Sequence, residues 1–152
     1  DAVVTFDPSR ARLLKEGARL LYDSRAIPNL IVDILVAPPH VTEKRGEALK
    51  TLLAGHFAAV RHLRDNPQDA ARHMTVRQRM QADEILHALQ GIHIHSLAEN
   101  QALLAANPPP IVRDAREVGR AMIEYGLLPN GADLDRLTAD LADPRWLPAV
   151  QP

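Results

Sequence analysis

The chain has 152 residues, 46% of them hydrophobic and 24% charged, with a formal net charge of −1. This length fits one domain burying about 70% of its unfolded surface, and so small a net charge gives no drive toward nucleic acid or an anionic membrane. The absence of cysteine excludes thiol catalysis, disulfides and cysteine-bound metal, and five aromatic residues (one Trp, two Tyr, two Phe) argue against base-stacking platforms.

The chain opens on Asp1-Ala2-Val3-Val4-Thr5-Phe6 without an initiator Met or a signal segment. Val3 to Phe6 reads as a buried strand. Because core strands rarely form a terminus, the sequence predicts the back part of a longer protein. Asp7 as N-cap and Pro8 at the first helical position then start a helix. Ala11, Leu13, Leu14 and Ala18 give it an apolar face, and Gly17 marks its stop.

Leu20-Leu21-Tyr22 is a second predicted strand. The third, Leu30-Ile31-Val32-Asp33-Ile34-Leu35-Val36, lies between Pro28 and Pro38 and is apolar on both faces. Asp33 stands out in it. A carboxylate inside such a run must be hydrogen-bonded to backbone N–H groups or face a cleft, because an uncompensated buried charge is costly. Both readings stay open at this point.

Helices dominate the rest. Thr42 caps a single turn, Gly46 breaks it, and a long helix runs from about Glu47 to Asp65. Leu49, Leu52, Leu53, Phe57, Val60 and Leu63 recur on one face of that helix at three- and four-residue steps. Asn66-Pro67 starts the next helix, and Asp83 to Gln90 forms a short one ending at Gly91, with Ile85, Leu86 and Leu89 inward. Ser96-Leu97-Ala98-Glu99 is a capping box opening a helix to about Ala106. After the rigid Asn107-Pro108-Pro109-Pro110, a helix spans Val112 to Tyr125 with a Schellman end at Gly126-Leu127. Asp133 caps a last helix, and the residues from Asp143 to Pro148 form an irregular tail.

Little of this pattern marks chemistry. No nucleophile elbow, phosphate loop or glycine-rich dinucleotide turn occurs. The carboxylate pairs Asp83-Glu84 and Asp133/Asp135 sit at helix starts, where the dipole accounts for them. Seven histidines is a high count. His93-Ile94-His95 would share one face of a strand, yet no third residue marks itself as a zinc ligand, so the expectation is no metal and a solvated loop. No cofactor is expected either.

Several segments, taken in order, resemble one family. They are Asp1 to Pro8, Leu20-Leu21-Tyr22-Asp23-Ser24 and Ile27 to Val36, then Glu47 to Lys50, Asn66 to Ala71, Leu97 to Asn100, Gly126-Leu127-Leu128-Pro129 and Asp143 to Pro148. The set is similar to the nitrate/sulfonate/taurine class of periplasmic substrate-binding proteins of ABC importers, with their D-A-x-x-x-W-E-P and F-D-S-x-x-I-P-G-L-I-V-D-x-L-V segments. The Trp-Glu pair of that pattern is Phe6-Asp7 here, and its glycine after Ile-Pro is Asn29.

The resemblance implies an α/β chain, a partial type II periplasmic-binding fold, helix-rich with about three short strands. Residues 1–25 would end the second lobe and form the hinge, and residues 26–152 would return as a crossing strand and complete the first lobe. It implies a solute-binding component, not an enzyme, that clamps a small organic or inorganic anion outside the inner membrane, either periplasmic or lipid-anchored. The pyrimidine-synthase relatives of that fold carry a cysteine-rich motif this chain lacks.

Thr5, Phe6, Asp7, Ser24 and Asp33 would then line one wall of the cleft. Each has a plain structural alternative: Asp7 as a cap, Phe6 as core, Ser24 as a turn. The expected partners are the ligand, the importer's membrane subunits, and either the missing N-terminal half or a second copy covering the apolar strand faces. A sensing or interaction domain of a larger signalling protein, or a helical adaptor without a ligand, are the alternatives.

Overall fold

A computed structural model of the chain describes residues 1–28 and 30–147; Asn29 and Pro148, both in segments quoted above, lie outside them. Eight α-helices occur among the described residues: α1 (Ser9–Lys15), α2 (Pro39–Lys44), α3 (Gly46–Asp65), α4 (Pro67–Gln78), α5 (Ala82–Leu89), α6 (Leu97–Ala105), α7 (Pro110–Glu124) and α8 (Leu134–Thr138). Short 3₁₀ turns add Ser24–Ala26 and Pro144–Trp146.

The α/β expectation is overturned. About 60% of the structure is helical, and no strand or sheet forms among the described residues. Val3–Phe6, Leu20–Tyr22 and Leu30–Val36, read above as strands, carry no regular structure. A strand persists only when its backbone N–H and C=O groups find a neighbouring ladder. β-branched composition fits a residue to a sheet but does not supply the partner. These segments therefore stay open to solvent, with Phe6 82% and Val36 73% exposed.

Helix ends follow local chemistry closely. Gly17 (φ 95°) ends α1, with Gly17 N–H donating to Leu14 C=O at 3.1 Å and Ala18 N–H to Leu13 C=O at 2.9 Å. Gly126 (φ 71°) repeats this after α7, where Leu127 N–H reaches Met122 C=O at 2.7 Å, the Schellman pattern. At α6, Ser96 Oγ accepts from Glu99 N–H at 3.3 Å while Glu99 Oε2 accepts from Ser96 N–H at 2.7 Å, so two orphan donors are satisfied reciprocally. Asp133 Oδ1 caps α8 by accepting from Arg136 N–H at 3.0 Å. Asp7 does not cap α1: the N-cap is Pro8, with no side-chain hydrogen bond.

The chain divides into two units, residues 1–26 with 58–94 and residues 27–57 with 95–152, so the division falls within α3 after Phe57. In the first unit α4 packs on α5, and Val60, Ala70, Ala71 and Ile85 are buried. Asp69 near the start of α4 accepts from Arg72 Nη2 at 3.0 Å and lies 2.9 Å from His62 Nε2.

The second unit has its core around Phe57 and Leu147, both buried, with Leu53, Ala54, Leu97 and Leu104 packed on them. Here α7 runs close against α8. A Cβ at Gly119 would stand 2.6 Å from Leu134 Cδ2, so this contact needs glycine or a shift of the leucine. Five of the six stripe residues of α3 are buried or half-buried; Leu52, 56% exposed, is the exception.

Candidate functional site

Four of the five residues nominated from the sequence, Thr5, Phe6, Asp7 and Ser24, belong to the first unit, and Asp33 belongs to the second. Asp33 is exposed, so the carboxylate expected inside an apolar strand is a solvated one, and the reason to look for its partner disappears. Ser24 is also exposed and opens the Ser24–Ala26 turn. Phe6 is exposed and not core. Thr5 is half-buried, its Oγ1 3.5 Å from Phe6 C=O.

Asp7 is placed differently. Its side chain is only 19% exposed, and Oδ2 lies 3.5 Å from Arg10 Nη1 one turn into α1. It stands with Pro8 at the edge of a cavity of about 150 Å³ whose other walls come from α4, α5 and the residues flanking α5. Met74 and Gln78 contribute from α4, Met80 from the connection, and Ile85 and Leu89 from α5. The packing of α4 on α5 builds these walls, and the segment just before α1 brings Asp7 and Pro8 to them. Among the described residues, Asp7 is the only ionisable one in the lining. Such a site, mostly apolar with one charged group, can hold a small amphipathic molecule and fix its orientation.

A shallower hollow of about 190 Å³ in the same unit shares Leu89 and Ile92 with this cavity and is otherwise lined by Val60, Leu63, Arg64, His93 and Ile94. Arg64 Nη2 donates there to Ile94 C=O at 3.0 Å, so this guanidinium helps hold the backbone after α5.

The strand reading of His93-Ile94-His95 does not hold, since the segment has no regular structure. His95 lies in the second unit, where its ring nitrogen and a Glu99 carboxylate oxygen come within 4.8 Å of each other. Glu99 is the residue the sequence reading assigned to the capping box alone, a role it also fills.

Sequence reasoning missed the cavity walls. Ile85 and Leu89 were read as inward, but Met74 and Met80 drew no attention. The usable signal was methionine itself, an unbranched side chain suited to lining irregular apolar spaces. No helix among the described residues is long and apolar enough to cross a membrane. No protein-family model, curated protein or solved structure matches the chain.

Proposed function

We propose that this chain serves as a solute-binding component, of the kind that delivers a small molecule to an ABC importer. The observation that carries the reading is the position of Asp7. The family resemblance nominates this residue as a ligand contact, and Asp7 is among the residues lining a mostly apolar cavity of about 150 Å³. The ordered agreement of segments from Asp1 to Pro148 supports the same reading.

The uncovered apolar segments supply the second part of the proposal. Val3, Val4 and Phe6 in one unit, and Ile31, Ile34, Leu35 and Val36 in the other, are exposed. Runs of exposed apolar residues of this kind suit contact with another polypeptide. The remainder of a binding protein, or a second copy, would cover it.

A thermal-unfolding screen against short-chain sulfonates, carboxylates and amines tests the reading. At least one class is expected to raise the melting temperature saturably in the wild type, and much less in Asp7→Asn, since a ligand that binds only the folded state stabilises it by mass action. No stabilisation by any class, or stabilisation indifferent to Asp7, would count against solute binding at this site.

A further inference from the structure

We infer that the ligand of the Asp7 cavity is a small organic cation, a primary amine on a compact apolar body, not the anion that the family resemblance implies. This inference rests on the solute-binding reading and specifies its substrate class.

The argument begins with charge. Among the described residues, Asp7 is the only ionisable one in the lining, and it is acidic. Its counter-ion is Arg10 at 3.5 Å, beyond hydrogen-bonding distance, and Arg10 itself does not line the cavity. An anion entering here would meet the acidic Asp7, 19% exposed, and among the described residues no cationic side chain lines the cavity. An ammonium group would meet a charged acceptor, and charge-assisted hydrogen bonds are about twice as strong as neutral ones.

Shape and composition agree. Met74, Met80, Ile85 and Leu89 offer no charge and only weak acceptors, so they suit an apolar body. A cavity of about 150 Å³ is large enough for a benzene-sized group. Gln78 adds a neutral amide able to accept one further ammonium hydrogen. The Arg10 pair does not oppose this. An exposed or partly exposed ion pair is weak, so an ammonium can share or take over Asp7 Oδ2.

The chain's methionines provide a direct readout. Of the three, Met74 and Met80 line the cavity, and Met122 lies in α7 of the other unit. The full chain labelled with ¹³C at the methionine methyls would be titrated with benzylamine, benzyl alcohol and benzoate at neutral pH. Benzylamine is expected to shift Met74 and Met80 saturably while Met122 stays fixed, with benzyl alcohol weaker. Asp7→Asn should weaken benzylamine about tenfold or more, the loss of one hydrogen bond to a charged group. Arg10→Gln should strengthen it, a change that a merely structural role for Asp7 would not produce.

Benzoate binding as tightly as benzylamine would overturn the choice of a cation while leaving solute binding at this cavity intact. Absence of any Met74 or Met80 shift with all three probes would overturn both. Equal shifts at Met122 would mean non-specific apolar association and would also overturn the inference.

Discussion

Truncating Phe57 to alanine tests the packing of the second unit. Phe57 is 5% exposed and clusters with Leu147, with Leu53, Ala54, Leu97 and Leu104 packed against the pair, so removing its ring leaves a space within this core. Buried Phe→Ala changes cost about 3–5 kcal/mol, from lost transfer energy plus the cavity. Leu52 is the control: it belongs to the same sequence stripe but is 56% exposed. Leu52→Ala is expected to cost about 0.5 kcal/mol or less, the usual range for a surface change, and alanine's helix propensity offsets part of that. Urea unfolding followed by far-UV circular dichroism separates the two. With a slope of about 2 kcal/mol/M, Phe57→Ala lowers the midpoint by about 1.5–2.5 M and Leu52→Ala by about 0.25 M or less. Equal shifts, or a larger one for Leu52→Ala, would refute the assignment of the buried face of α3.

Replacing Gly17 or Gly126 with alanine forces a Cβ into the left-handed region and is expected to cost about 1 kcal/mol each, read as a lower melting temperature; no change would contradict the helix-end geometry. Ser96→Ala removes the α6 cap and should cost about 1 kcal/mol by the same measurement, against near-neutral Ser9→Ala on exposed α1. The Arg145 side chain, donating to Asp143 from Nε and Nη2 at 2.7 Å each, holds that carboxyl below its ordinary value. Because the folded value is depressed, the stabilisation is fully present above the unfolded carboxylate pKa and is lost as pH falls through the folded one. A carboxyl-detected NMR titration should find Asp143 titrating lower than a free aspartate and moving up in Arg145→Gln; an unmoved midpoint would exclude the pairing. Exposed Ile34, Leu35 and Val36 predict concentration-dependent self-association of the isolated chain, suppressed by Ile34→Asp with Val36→Asp. Light scattering showing a monodisperse wild-type monomer at all concentrations would contradict that.

Helices were legible because their determinants are local. The Ser96/Glu99 box, the Asp133 cap, Pro67 at the start of α4 and the glycine ends at Gly17 and Gly126 act within one or two turns, and each acts in the structure. The stripe on α3 was read correctly except at Leu52, which is 56% exposed. Strands were misread because pairing is not local. Leu30 to Val36 has strand composition, but its ladder would have to come from residues the described chain does not place beside it. The burial assigned to Asp33 failed with the strand that was to bury it.

The cavity was half legible. Asp7 was nominated by resemblance, and Ile85 and Leu89 were read as inward. That α4 and α5 come to the start of α1 is tertiary information which no spacing in the sequence encodes.

The central claim, solute binding at Asp7, is tested most directly by isothermal titration calorimetry of the purified full chain. Wild type and Asp7→Asn would each be titrated with the best-stabilising solute from the thermal screen. A single saturable site per chain, weakened about tenfold or more by the substitution, is the predicted result. Heats that fail to saturate, or an isotherm unchanged in Asp7→Asn, would contradict it.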